Sequence, residues 1–144
     1  MTIHMLKLCV GVDSADDLER WIDLRQRQRA LNGEAAEQTH TTRMFPKQRD
    51  EILDGGSLYW VIKGMVLARQ RILDLRPVTG EDGISRCQIV MEPKLIRTET
   101  QPKRAFQGWR YLKASDAPRD LDALGGGEDL PEAFRRELAE LGLL

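Results

Sequence analysis

The segment 55–64, G-G-S-L-Y-W-V-I-K-G, constrains the fold more than any other part of the chain. Between glycine stops it carries Leu58, Tyr59, Trp60, Val61 and Ile62 without interruption. In an extended backbone successive side chains point to opposite faces. Leu58, Trp60 and Ile62 then share one face, and Tyr59 and Val61 the other. Both faces need cover, which a strand receives only in the interior of a sheet packed on both sides. Residues 57–63 are therefore expected as a central strand. In that setting Trp60 reads as core rather than as a ligand platform.

The remaining chain supplies neighbours and cover. Residues 3–12 form an apolar run with β-branched Ile3, Val10 and Val12, which reads as a buried first strand. Ser14 is a natural helix N-cap, followed by Asp16, Asp17 and Glu19 at the positive end of the helix dipole. Leu18, Trp21, Ile22 and Leu24 continue a helical stripe, and Gly33 is a stop. Thr39, Thr41 and Thr42 favour extended backbone. Pro46 suits the first position of a helix running to Leu53, ended by Gly55 with a left-handed cap and by Gly56.

After Gly64, residues 65–76 read as a long strand with Leu67, Arg69 and Arg71 on one face. The alternation slips near residues 71–73, which predicts a bulge, and Pro77 closes the run. The turn cluster 79–83 joins it to a return strand over 84–92, with Cys87, Ile89 and Met91 facing one way. A short strand over 95–99 and an aromatic strand over 105–112, broken by Gly108, complete the set. Gly125, Gly126 and Gly127 read as a linker, and residues 131–141 as an amphipathic helix with Phe134, Leu138 and Leu141 on its apolar side. About six strands joined by short turns, with three helices, predict an α+β fold: a mainly antiparallel curved sheet or small β-barrel flanked by helices. Residues 1–124 are expected as a single domain. Residues 125–144 are expected as a glycine linker and a helix packed on or near it.

A chain of 144 residues with 31% charged side chains suits one soluble domain with one core. No apolar run is long enough for a membrane-spanning helix, and the N-terminus lacks the pattern of a signal peptide, so a cytoplasmic location without membrane contact is expected. Cys9 and Cys87 lie far apart in apolar runs and read as buried thiols. Charge is unevenly distributed. Residues 38–119 hold 15 Lys/Arg against 9 Asp/Glu, a local +6 within a chain of net charge −1. A basic middle suits either solvated strand faces or an anionic partner such as RNA or a nucleotide.

No catalytic motif accompanies this charge. The only histidines are His4 and His40, and neither a nucleophile elbow nor zinc-ligand spacing is present. The glycine clusters lack the Lys-Ser/Thr ending of a phosphate-binding loop. No catalytic residue, metal ligand or cofactor is assigned, and a binding role is favoured over catalysis. The densest polar group is His40, Thr42 and Arg43, which offers an imidazole, a hydroxyl and a guanidinium fork to a phosphate or a base edge. These residues also suit a structural use, as helix cap and as ion-pair partner of Asp50 or Asp54. Lys63 and Arg69 add cations on strands. Tyr59 and the G-W-R-Y run with Trp109 and Arg110 offer rings beside positive charge, the pattern that stacks bases. Rings on strands equally serve as core.

The segments H-T-T-R-M-F-P-K at 40–47, G-G-S-L-Y-W-V-I-K-G at 55–64, A-R-Q-R-I-L-D-L at 68–75 and A-F-Q-G-W-R-Y-L at 105–112 resemble a small bacterial family of unknown function, of alphaproteobacterial type. A weaker resemblance of element order, including C-Q-I-V-M-E-P-K-L-I-R at 87–97, is to the PUA-like superfamily with its EVE and ASCH domains. That resemblance implies a helix-decorated barrel that binds RNA or a modified nucleobase beside the sheet. The functional expectation is thus an RNA- or modified-nucleobase-binding module using His40, Thr42, Arg43, Tyr59, Lys63, Arg69, Trp109 and Arg110. Two alternatives stand beside it. One is a small enzyme acting on an anionic metabolite, with His40 as acid or base. The other is an interaction module that docks through the terminal helix.

Overall fold

A computed structural model describes residues 1–121. The elements run β1 (Ile3–Leu8), α1 (Ala15–Leu31), β2 (Gln38–Thr42), α2 (Arg49–Leu53), β3 (Ser57–Ile62), β4 (Met65–Thr79), β5 (Ser85–Met91), β6 (Ile96–Pro102) and β7 (Trp109–Lys113), with a short 3-10 turn at Ala114–Asp116. The linker and helix expected beyond Gly125 lie outside the described residues.

The architecture is α+β, with a sheet ordered β2-β5-β4-β3-β1-β7 and β6 added to β4. The two ends of this path, β2 and β7, do not pair with each other, so the sheet is open rather than a closed barrel. β3 lies between β1 and β4, and all six of its residues are buried, as its two-sided apolar pattern requires. Most pairings are antiparallel. The exception is β1 with β3, which run parallel because α1, β2 and α2 intervene and carry the chain back.

The 15-residue β4 explains the shape. Its first half lies between β3 and β6, and its second half pairs with β5. The register shift between Ile72 and Asp74 falls where the sequence predicts a bulge. Pro77 does not close the strand, contrary to expectation: β4 continues to Thr79, with Pro77 opposite Cys87. That half of β4 is paired on one side only, where a missing N–H is tolerated. The strand after Pro93 also begins and ends later than expected, and it returns to β4 rather than to its sequence neighbour β5.

Helix α1 starts as its sequence dictates: the Ser14 hydroxyl accepts from the Asp17 amide at 3.1 Å. Leu18 and Ile22 bury against the sheet, while Trp21 and Leu24 stay largely exposed. Helix α2 begins three residues after the expected Pro46. The amides of Lys47 and Gln48 instead donate to the Tyr111 hydroxyl at 2.9 and 3.2 Å, which holds this segment outside the helix. Gly55 has φ +85°, the left-handed cap expected there. Gly56 serves a different need: a Cβ there would stand 2.3 Å from the Ile52 carbonyl oxygen and 2.5 Å from that of Ile3. Only glycine lets α2 and β1 approach so closely.

The two faces of β3 organise two cores. Leu58, Trp60 and Ile62 join Met5, Leu18, Ile22, Ile52 and the inward residues of β4 and β5. Tyr59 and Val61 join Leu6, Val66 and Leu112 on the other side. None of the helices among the described residues is long and apolar enough to cross a membrane.

Candidate functional site

Where β1 ends, the chain turns through Cys9–Val12 into α1 and leaves a gap against β2. The gap is a cavity of about 320 Å³, walled by Trp60, Trp21, Leu18, His40, Gln38 and Lys7 among others. Its position follows from topology. Trp60 is flanked in the sheet by Lys7 of β1 and Ala68 of β4, and the cavity lies on the face that its indole shares with Lys7, under the loop that leads from Leu8 to α1.

Trp60 is fixed by a buried polar ladder. Its indole N–H donates to the Gln70 side-chain oxygen at 2.9 Å. The Gln70 amide donates in turn to the Glu92 carbonyl at 3.0 Å and to the Gln38 side-chain oxygen at 3.5 Å. Gln70 is fully buried, so each of these bonds offsets a desolvation penalty of about 1–3 kcal/mol. The ladder ties β2, β3 and β4 together behind the cavity and sets the orientation of the indole.

His40 stands on β2 with its ring edge-on to Trp60, 5.5 Å between centroids and 86° between planes. Its Nε2 is buried, out of reach of solvent, and has no hydrogen-bond partner among the described residues. Buried polar atoms are nearly always paired, and among the described residues this nitrogen shares the exception with the side-chain oxygens of Gln26 and Gln101. Burial, and secondarily the charge of Lys7, hold its pKa below the ordinary 6.5, so the ring is neutral near pH 7. Burial also pushes the Cys9 thiol up to about 11, so Cys9 is a weakly polar wall, not a nucleophile.

Among the described residues Lys7 is the one charged side chain in the cavity lining, which includes no other Lys or Arg and no Asp or Glu. It is half-buried and forms no ion pair with a described residue. The strand register sets it between Trp60 of β3 and Trp109 of β7 on the same face of the sheet. Trp21, 44% exposed, and Val10, 90% exposed, stand at the mouth.

Of the eight residues singled out in the sequence, His40 alone lines this cavity. Thr42 is buried at the far end of β2, opposite Cys87. Arg43 follows it, exposed, with no ion pair to Asp50, Asp54 or any other described residue. Neither Thr42 nor Arg43 caps α2, whose N-cap is Gln48. Lys63 is exposed at the β3–β4 turn with φ +50° and lies 3.4 Å from Asp13, next to the cavity residue Val12. Tyr59 and Arg69 occupy the opposite face of β3 and β4. There Arg69 grips Asp120 with two bonds of 2.9 and 2.8 Å and donates to the Ser57 hydroxyl at 2.8 Å. Trp109 is buried, with its N–H on the Met44 carbonyl at 2.7 Å. Arg110 lies over the Phe106 ring at 5.4 Å. His40 thus lines the cavity and Lys63 pairs with Asp13, the residue after the lining residue Val12, whereas Tyr59, Arg69 and Arg110 belong to the other side of the sheet.

Sequence reasoning passes over Lys7, Trp21, Gln38 and the place of the buried Trp60 in the cavity wall. One signal for Lys7 is present in the sequence: a single lysine inside a mostly apolar strand. A wider depression of about 600 Å³ lies between β6 and residues 115–119, but its Glu99–Arg119 charges already pair with each other. Among the described residues no group of three or more His, Cys, Asp or Glu is placed to hold a metal ion.

Comparison with known proteins gives one match. No curated protein and no solved structure is significantly similar to the chain. The model of a family described as "Protein of unknown function (DUF1489)" matches residues 5–144. That span takes in every residue of the cavity lining, and the chain belongs to the DUF1489 family, whose function is unknown.

Proposed function

We propose that the chain is a binding module for RNA or a modified nucleobase, of PUA-like kind, and that the cavity beside Trp60 receives one base. The observation that carries this reading is a cavity flanked by the indoles of Trp21 and Trp60, with His40 in its wall. Proteins that read single-stranded RNA or a flipped base enclose it between aromatic or apolar side chains and hydrogen-bond its edge. Ligand cavities span about 300–1,000 Å³, and this one is at the small end, a size for one heterocycle rather than an extended chain. Lys63 at the rim and the unpaired Arg43 supply charge for the flanking phosphates, in line with the basic middle of the sequence.

Titration of the intrinsic tryptophan fluorescence with short RNA oligonucleotides and with mononucleosides, at several salt concentrations, tests the reading. Binding should weaken with salt, and Arg43→Ala with Lys63→Ala should lower the salt slope by about one unit for each phosphate no longer neutralised. His40→Leu should abolish mononucleoside binding. Absence of salt-sensitive RNA binding, or mononucleoside binding unchanged in His40→Leu, would count against it.

A second reading draws on the same histidine. A neutral imidazole with a free Nε2 beside a cation is the arrangement of a general base next to an anion clamp, here Lys7 in place of the expected Arg43. In that reading a bound anionic metabolite is chemically changed. Mass spectrometry of a cell-extract metabolite pool after incubation with wild-type and His40→Gln protein would reveal the change.

A further inference from the structure

We infer that the exposed face of α1 is a docking surface for residues 130–144 of this same chain, and that the docked segment lies as a strap across the mouth of the cavity. The inference concerns access to the cavity and stands independently of what the cavity binds.

Three observations carry the inference. The first is the face itself. Helix α1 buries Ala15, Leu18 and Ile22 against the sheet, yet Trp21, Leu24 and Leu31 are 44, 53 and 88% exposed. At 3.6 residues per turn these three share one stripe about 80° wide. Arg25 borders it on one side, with its guanidinium 5.5 Å over the Trp21 ring, and Arg20 and Arg27 border it on the other. Large apolar side chains aligned on one face, rather than scattered, mark a contact surface. The second observation is complementarity. Residues 20–31 hold four Arg against one Asp, so the occupant must be acidic as well as apolar. The same face of a second copy would set arginines against arginines. Residues 122–144 hold six Asp/Glu against two Arg. In the helix that the sequence predicts over 131–141, Phe134, Leu138 and Leu141 line one face, Leu130 extends it, and Glu137 and Glu140 lie beside it. The third observation is the point of departure. The Leu121 amide donates to the Arg97 carbonyl at 3.0 Å, and the Arg97 guanidinium meets Asp16 at 2.8 Å and also Glu19. The chain beyond Leu121 therefore sets out beside the first turns of α1. Residues 122–130 can reach up to about 30 Å, whereas Asp16 and Leu31 are about 22 Å apart along the helix. A tether of that length supplies an effective concentration of order millimolar, so a modest contact suffices to seat the segment. Trp21 also lines the cavity, as does Val10, so a segment seated on Trp21 controls entry.

Acrylamide quenching of tryptophan fluorescence in the full chain reads the docking, because Trp60 and Trp109 are buried in the fold and Trp21 is not. Comparison with Trp21→Phe isolates the Trp21 signal. Phe134→Asp with Leu138→Asp should raise the Trp21 quenching constant at least about threefold, as release of a segment held at millimolar effective concentration requires. A second measurement places the segment. In Leu24→Cys with Leu138→Cys, mild oxidation should join positions 24 and 138 within one chain. Ile84→Cys with Leu138→Cys, which puts the first thiol in the β4–β5 turn, should join at least about tenfold more slowly. Trp21 quenching that is unchanged by the two aspartate substitutions would overturn the strap. Equal rates from positions 24 and 84 would overturn α1 as its seat. A disulfide between positions 24 and 138 that forms only between chains would overturn docking within one chain and assign the face to the same segment of a second copy. Trp21, Leu24 and Ile84 are all exposed, so these substitutions leave the core intact.

Discussion

Both histidines of this protein meet an aromatic ring edge-on, on opposite faces of β3, and they differ in one respect. His4 approaches Tyr59 at 5.0 Å and 73°, and its Nδ1 accepts the Ser57 amide at 3.0 Å. His40 approaches Trp60 at 5.5 Å and 86°, and its Nε2 meets nothing. Around His4 the neighbouring groups are also paired. Ser57 accepts from Arg69, and Arg69 grips Asp120. Around His40 lie an ammonium with no ion pair among the described residues and an open cavity. The same residue type beside the same kind of partner is thus a structural bracket on one face and an unfilled hydrogen-bonding group on the other. A pairing account separates the two where residue identity cannot.

The contrast can be broken most forcefully on the bracket side. Asp120→Ala leaves the Arg69 guanidinium, 21% exposed, without its carboxylate. It should lower stability by about 2–4 kcal/mol, somewhat less than loss of a fully buried partner. Urea unfolding should show it, with no change in nucleoside affinity. An unchanged midpoint would mean that the bracket is not structural.

The histidines come next. His4→Leu leaves the Ser57 amide unpaired in a buried strand and should cost about 1–3 kcal/mol. His40→Leu removes an unpaired nitrogen and should change stability by less than about 1 kcal/mol while abolishing nucleoside binding. Equal destabilisation by the two substitutions would erase the distinction.

A third test uses pH. Burial holds both imidazoles below 6.5, with Arg69 adding to the effect at His4 and Lys7 at His40. The folded state therefore favours the neutral rings. Their contribution to stability is fully present above the unfolded-state value of 6.5 and is lost as pH falls through the lowered folded values. Each His→Leu variant should flatten part of that decline in urea titrations between pH 7 and 5. An anionic ligand beside His40 reverses the sign at that site alone. It favours the imidazolium, so binding should take up protons and tighten as pH falls, without any effect at His4.

The smallest effect concerns the thiols. Both Cys9 and Cys87 are pushed up to about 11, and Cys87 is wholly buried, whereas Cys9 is half-buried on the cavity wall. Alkylation by iodoacetamide, followed by mass spectrometry, should be slow at Cys9, slower still at Cys87, and slowed further at Cys9 alone by a bound ligand. Equal protection of both thiols would indicate general tightening rather than occupancy of the cavity.

The sheet's central strand, the β4–β5 hairpin with its bulge and the Ser14 cap are legible in the sequence, because each rests on short-range rules: alternation, turn chemistry and capping. What needs long-range pairing is not. The parallel β1–β3 neighbourhood and the return of β6 to β4 depend on which strands meet across 50 or so and about 30 residues of chain, respectively, and no local pattern records that. The candidate site divides in the same way. His40 is visible as one of two histidines in a polar cluster. Its companions Lys7, Trp21 and Gln38 come from three separate elements and become a site only through the fold. Tyr59, Arg69 and Arg110 have the composition of a base-binding surface. Their side chains are engaged by His4, Asp120 and Phe106 on the other face of the sheet.

The claim that His40 is the unfilled partner of a ligand, and His4 is not, has one direct test. Long-range ¹H–¹⁵N NMR spectra of the imidazole side chains, recorded while a mononucleoside is added, report each ring nitrogen separately. The account predicts that the His40 Nε2 resonance moves in a saturable manner while both nitrogens of His4 stay fixed. A titration in which the ligand binds and His40 stays still, or in which both histidines move together, would contradict it.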